Sequence, residues 1–258
     1  MQFVDTHTHL FSDQFSEDID ETIKRAKDAH VSKLFLPNID AASIQPMMRL
    51  VEDYPEQCFP MMGLHPCSVK NDFKLVLDQM KRLLDRHKFY AIGETGLDLN
   101  WDKSTLDIQV QALKVQIDWA KEYDLPIVIH ARESYDELFD VFDELNDDNL
   151  KGVFHCFTGT LAQAEHIIGY GGFKLGLGGV LTFKNSGLSE TIADIDMKDL
   201  VLETDSPYLA PTPHRGKRNE SSYLYYVASK LAEVKQITME EVAKITSRNA
   251  LDLFQLKE

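Results

Sequence analysis

Short apolar segments alternate with longer amphipathic ones along the whole chain, the signature of βα units repeated around a parallel sheet. Eight strand-like runs can be read, at 3–10, 33–39, 58–66, 90–98, 126–132, 151–157, 173–179 and 200–207. Between them apolar residues fall at steps of three and four. The clearest set is Leu106, Val110, Leu113, Ile117 and Ala120, which share one face of a helix. Ser104 and Asp107 are expected to form that helix's capping box. The Thr238-x-x-Glu241 pattern opens a final helix whose Val242, Ile245 and Leu253 suit packing against a barrel exterior. No linker, low-complexity tract or longer repeat divides the chain, so the pattern predicts one domain over 1–258, a (β/α)8 TIM barrel. The segment 208–222 lacks a clear period and is expected to be an irregular loop on the barrel's working face.

Composition fits this picture. At 258 residues, 43% hydrophobic and 27% charged, the chain has apolar material for one sizeable core. Met1-Gln2-Phe3-Val4-Asp5 shows no basic segment followed by an apolar run, and no stretch approaches the ~18 apolar residues of a membrane span. Cys58, Cys67 and Cys156 form no C-x-x-C pair and are odd in number, which argues for buried thiols, not a disulfide framework. A cytoplasmic protein with no membrane partner is expected. The net charge of −15 opposes a protein that coats nucleic acid by charge alone. It does not oppose a metalloenzyme, because acidic ligands loaded with divalent cations become locally positive.

In a barrel of this type the active site is built from the C-terminal strand ends, and here those ends are polar. The first run holds His7-Thr8-His9, the third His65, the fourth Glu94, the fifth His130, the sixth His155 and the eighth Asp205. Side chains two apart on a strand share a face, so His7 and His9 can reach one ion. A single His-x-His pair is weak evidence, since a lone histidine is more often a satisfied core or rim residue. Six strand ends aiming candidate ligands at one point are strong evidence. Imidazole and carboxylate together suit zinc, manganese and similar ions, while carboxylate and water suit magnesium. His30, His87 and His166 fall in or beside helices and are expected to face solvent. Cys156, next to His155 on a strand, is expected to face away from the site.

These residues carry a resemblance over nearly the whole chain. Asp5-Thr6-His7-Thr8-His9, Gly63-Leu64-His65-Pro66, Gly93-Glu94-Thr95-Gly96-Leu97-Asp98, His155-Cys156-Phe157-Thr158-Gly159, Thr182-Phe183-Lys184-Asn185, Glu203-Thr204-Asp205-Ser206-Pro207-Tyr208 and Arg215-Gly216-Lys217-Arg218-Asn219-Glu220 resemble the TatD-type deoxyribonucleases of the metal-dependent hydrolase superfamily. The resemblance implies metal-dependent DNA hydrolysis, by 3′–5′ exonuclease action in some members. It also implies that His7, His9, Glu94, His130, His155 and Asp205 are metal ligands, with Glu94 bridging two ions, and that His65 contacts substrate phosphate or a further metal. Leu99 and Ser221 depart from the tyrosine and proline common in the family, which bears on substrate preference more than on metal chemistry.

The expected mechanism is hydrolysis by two divalent ions, Mg²⁺ or Mn²⁺ in function with Zn²⁺ also suitable, which activate water and stabilise the leaving oxygen. Glu94 and Asp205 are the catalytic candidates, Asp205 both as ligand and as acceptor of the water's proton. Arg215, Lys217 and Arg218, in the loop after the eighth strand, are candidate phosphate clamps on DNA or another nucleic acid, with Arg132 and Lys184 as further candidates. Three other readings compete. A deacylase acting on aminoacyl-tRNA or an amidohydrolase acting on a small cyclic amide would use the same fold and water. Glu94 stands where many amidohydrolases carry a carboxylated lysine, which favours the nuclease branch. A non-catalytic nucleic-acid-binding protein would be betrayed by a lost ligand, and none is lost.

Overall fold

The computed structural model describes residues 1–256, and its strands are all parallel. They are β1 (Phe3–Asp5), β2 (Val31–Pro37), β3 (Cys58–Met61), β4 (Ile92–Asp98), β5 (Ile127–Arg132), β6 (Gly152–Phe154), β7 (Phe173–Leu177) and β8 (Leu200–Leu202). Helices α1 (Ile19–Asp28), α2 (Ile44–Asp53), α3 (Phe73–Leu84), α4 (Leu106–Glu122), α5 (Tyr135–Leu145), α6 (Leu161–Gly169) and α7 (Leu188–Ala193) each follow the strand of the same number. After β8 an irregular segment leads to α8 (Leu224–Lys235) and then α9 (Met239–Leu253).

Strands β1 to β3 form one continuous ladder and β4 to β8 another. Two seams join them into a closed barrel. Between β3 and β4, Met62 bridges to Ile92, with Gly93 N donating to Met62 O at 2.9 Å. Between β8 and β1, Thr8 bridges to Ser206, and Thr6 N donates to Leu202 O at 3.0 Å. The second seam is locked by Asp5, whose carboxylate accepts from Thr204 N at 2.9 Å and from the Thr204 hydroxyl at 2.6 Å. Burial pushes the Asp5 carboxyl up to about 7 despite these bonds. The chain is therefore one barrel whose seam lies directly beneath the residues of the first and eighth strand ends.

Period-two alternation sorts the strand residues. Phe3, Leu34, Leu36, Ile127, Ile129, Phe154, Leu200 and Leu202 face the helices in the main core. Val4, Phe35, Phe59, Ala91, Val128, Val153 and Val201 form a separate inner cluster closed off by Leu251, Leu253 and Phe254 from the end of α9. Phe254 stacks on Phe35 with ring centroids 4.0 Å apart. The N-terminal mouth of the barrel is thus plugged with apolar side chains, and only the C-terminal mouth is left for chemistry.

Two local differences from the sequence expectations stand out. β1, β3, β6 and β8 end before the polar residues they were expected to include, although His155 N still donates to Ile129 O and Glu203 N to Leu177 O, each at 3.0 Å, so the inward alternation carries on for one more residue there. The capping box expected at Ser104 and Asp107 is absent. A 3-10 turn at Lys103–Thr105 precedes α4, and Asp102 takes the capping role by accepting Ser104 N at 2.9 Å. The Thr238–Glu241 capping box of α9 forms as expected. The inner face of α4 also carries two buried glutamines. Gln116 accepts Leu64 N at 2.7 Å and donates to the Thr95 hydroxyl at 2.7 Å, while Gln109 accepts Asp98 N at 2.9 Å. They pin the segments that carry His65, Glu94 and Asp98.

Candidate metal centre

Alternation delivers several functional side chains directly. Val128, Val153 and Val201 point into the barrel, so His130, His155 and Glu203, each two residues on, point inward one layer higher. β4 and β5 approach closely at this level. A Cβ on Gly96, whose φ is +135°, would meet the His130 backbone, so only glycine allows the imidazole to lie beside Glu94. Asp205 has a left-handed backbone, φ 55°, fixed by its N–H donating to His7 O at 2.9 Å. Such a conformation costs of order 1 kcal/mol and persists where surrounding contacts enforce it.

The result is a buried carboxylate with a group of ring nitrogens on each oxygen. Glu94 Oε2 lies 3.2 Å from His7 Nε2 and 3.5 Å from His9 Nε2. Asp205 Oδ1 completes this side at 3.7 Å from His7 and 3.5 Å from His9. Glu94 Oε1 lies 2.8 Å from His155 Nε2, 2.9 Å from His130 Nδ1 and 3.3 Å from His65 Nε2. Two further carboxylates sit behind the rings: Asp98 Oδ2 is 2.9 Å from His130 Nε2, and Glu203 Oε1 is 3.4 Å from His155 Nδ1.

The electrostatics follow from burial and crowding. Burial alone would raise the Glu94 carboxyl, yet the charges of His155, His65 and His7 and the His130 contact hold it well below the usual range. Asp205 is likewise lowered against its burial by His9 and its neighbours, and Asp98 is brought down to about 2 against its burial by His130. Burial opposes a charge on His155, but Glu94 and Glu203 carry it well above the ordinary imidazole value. His7, buried and facing His155, is lowered.

The donor set fits divalent metal. His7 Nε2 and His9 Nε2 face each other at 3.2 Å, although both Nδ1 atoms lack hydrogen-bond partners. Ligand atoms held about 2.0–2.2 Å from one ion stand at such separations from each other. Among the described residues, His7, His9 and Glu94 form one group able to hold an ion, His65, Glu94 and His130 a second, and His7, His155 and Glu203 a third. Glu94 belongs to two of them.

The cluster lies at the base of a cavity of about 630 Å³ lined also by Cys67, Trp101, Arg132, Cys156, Thr158 and Tyr208. Arg132 therefore reaches the cavity. Arg218 does not line it: its guanidinium grips the Asp18 carboxylate at 2.7 Å through both nitrogens and lies over the Phe15 ring at 4.5 Å. Arg215 rests on the Phe183 ring at 3.7 Å, and Lys217 and Lys184 are exposed. His30, His87 and His166 are exposed as expected. Cys156 does not face away as expected. β6 has ended before it, and a left-handed backbone (φ 46°) turns it to the cavity wall. Leu99 and Ser221 are buried and line none of the cavity.

Asp98, Glu203 and Trp101 were not singled out from the sequence. A period-two reading of Val201-x-Glu203-x-Asp205 contains the signal for Glu203, and the same reading of His130-x-Arg132 indicates only the rim.

The TatD related DNase family matches residues 4–255. The chain is 40% identical over 253 residues to the uncharacterized metal-dependent hydrolase YabD of Bacillus subtilis, covering 98% of each. It is 31% identical over 258 residues to the 3′-5′ ssDNA/RNA exonuclease TatD of Pantoea vagans, covering 98% of this chain and 99% of that one. The crystal structure of the TatD homolog YjjV from Escherichia coli superposes with a TM-score of 0.93 at 32% identity, covering 99% of this chain and 98% of that one. The chain belongs to the TatD-related family of metal-dependent hydrolases.

Proposed function

We propose that this hydrolase cleaves phosphodiester bonds of nucleic acid, removing nucleotides from the 3′ end of a DNA strand with two divalent ions, Mg²⁺ or Mn²⁺. The observation that carries this reading is Glu94, whose two oxygens each face their own set of imidazoles, with Asp205 on one side. A phosphodiester needs charge neutralised on both the attacking and the leaving oxygen, and a carboxylate shared by two ligand sets is suited to that demand. When bound, the ions neutralise the phosphate and make water acidic enough to attack at neutral pH.

The chain's own residues have distinct tasks. His7, His9 and Asp205 would hold one ion and His130 and His155 the other, with Glu94 common to both. His65, 3.3 Å from Glu94 and on the cavity wall, would meet the substrate phosphate or support the second ion. Asp205 is part-exposed to the cavity and held ionised, so its carboxylate can accept the proton of the attacking water. Arg132 would grip a phosphate oxygen at the cavity wall, and Arg215 and Lys217 would meet phosphates farther along the strand. Arg218 is engaged by Asp18 and has a structural task instead. Among the described residues no helix is long and apolar enough to cross a membrane, and the cysteines are free, which supports work in the reducing cytoplasm.

The test is digestion of single-stranded DNA labelled at the 5′ end, with a product ladder that shortens stepwise from the 3′ end in Mn²⁺ or Mg²⁺ and stops in chelator. Aminoacyl-tRNA and a cyclic amide are run beside it. Hydrolysis of either of these with intact DNA would overturn the reading.

A further inference from the structure

The cavity mouth carries two large side chains that packing does not account for. Trp101, between β4 and α4, is 74% exposed, and Tyr208, after β8, is 50% exposed. Single exposed aromatics are ordinary on protein surfaces. These two differ because both line the cavity that holds Glu94, His130 and Asp205. Arg132 stands between chemistry and surface, lining the same cavity with its guanidinium 5.4 Å from the centre of the Trp101 ring. Tyr208 stands edge-on to His9, ring centroids 6.1 Å apart.

One kind of ligand matches this order of groups. The cluster suits a phosphate, Arg132 suits a phosphate or the face of a ring, and the rims offer flat π surfaces. A nucleotide strand presents an anionic phosphate with a flat base a sugar's width away. Aromatic side chains hold such bases by stacking whatever their identity, because every base has a π face. Only an unpaired base has that face open. In a duplex it is covered by its neighbours, and exposing it requires unstacking.

We infer that Trp101, Tyr208 and Arg132 form a subsite that stacks an unpaired base of the strand whose phosphate enters the metal cluster. The inference rests on the nuclease reading and adds to it the side chains that would hold an unpaired base, with tolerance of sequence. Trp101 is the principal platform, because its ring is the more exposed and Arg132 adds cation–π attraction to the stack.

The experiment combines kinetics and fluorescence on the full chain in Mg²⁺. Wild type, Trp101→Ala and Trp101→Phe are compared on single-stranded oligodeoxyadenylate and on the same strand with abasic 3′-terminal nucleotides. Trp101→Ala is expected to raise KM for the intact strand roughly 5- to 100-fold, with kcat within about twofold, and Trp101→Phe to restore most of the loss. On the abasic strand wild type and Trp101→Ala should be equally poor. The second readout is tryptophan emission on mixing with a phosphorothioate oligodeoxyadenylate that resists cleavage. The chain has two tryptophans and the other, Trp119, is 3% exposed. Quenching by the single strand but not by a blunt duplex, lost in Trp101→Phe, supports the subsite. An unchanged KM in Trp101→Ala, or emission indifferent to the strand, overturns it. Wild type cleaving intact and abasic strands equally well would remove the subsite and leave the nuclease reading standing. Wild type cleaving neither strand would remove both.

Discussion

Replacing Glu203 by glutamine changes one atom and one potential charge behind the metal cluster, and the structure specifies how the effect should divide. Glu203 Oε1 accepts Cys156 N at 2.6 Å and lies 3.4 Å from His155 Nδ1, while Oε2 has no partner. The carboxylate fits because residue 176 is glycine, where a Cβ would run into it. Glutamine keeps an acceptor for Cys156 N but loses the negative charge 3.4 Å from His155 Nδ1, a charge that favours a proton on that nitrogen and so leaves Nε2 free to ligate. Losing such a partner lowers metal affinity about 10- to 100-fold, or about 1.4–2.7 kcal/mol. At fixed excess Mn²⁺ the metal-linked stabilisation should fall by that amount, about 3–11 °C in Tm for a domain of this size. In chelator the variant should melt at the same temperature or higher, because a buried amide replaces a carboxylate with an unpartnered oxygen. The assay is paired thermal melts in Mn²⁺ and in chelator. An equal loss of Tm in both would assign Glu203 to folding alone, and an unchanged metal-induced shift would refute its part in orienting His155.

The two arginines first grouped by type should behave differently. Arg132→Ala should raise KM for single-stranded DNA with a smaller change in kcat and reduce the log–log salt slope by roughly 0.7. Arg218→Ala should leave KM unchanged and cost about 0.5–1 kcal/mol in a urea melt, because Asp18 and Arg218 are about a third exposed and solvent screens the pair. Arg218 holds the Asp18 carboxyl well below its ordinary value. A depressed carboxyl stabilises above its unfolded value of about 3.9 and loses that contribution as the pH falls. The gap between wild type and Arg218→Ala should therefore be flat near neutrality and shrink below about pH 4; a gap that widens in acid would contradict the pairing. Phe254→Ala removes the ring stacked on Phe35 at the plugged end of the barrel and should cost about 3–4 kcal/mol, with kcat unchanged for the protein that remains folded; a stability loss under about 1 kcal/mol would mean the plug is not part of the core.

The barrel was legible because its alternation of apolar strands and amphipathic helices is long and uninterrupted. The cluster was legible because His7, His9, Glu94, His130, His155 and Asp205 each stand at a strand end. What escaped notice was set by contacts between distant segments. Asp98 and Glu203 lie in motifs that could be read, but their task appears only when His130 and His155 stand in front of them. Gln109 and Gln116 interrupt an apolar helix face, which looks like noise until Leu64, Thr95 and Asp98 offer them partners. Arg218 looked like a phosphate clamp by its charge and loop. Asp18, two hundred positions earlier, claims it. Cys156 departs from the alternation because its backbone turns left-handed, φ 46°, one residue after His155.

If Glu94 joins two ions, as proposed above, hydrolysis requires both. The direct measurement is the rate of single-stranded DNA cleavage by chelator-stripped protein as Mn²⁺ is titrated, plotted against ions bound per chain. Little activity is expected until more than one ion is bound, with a plateau at two and Glu94→Gln never rising off the baseline. A full rate at one ion per chain, or cleavage that persists in excess chelator, would contradict it.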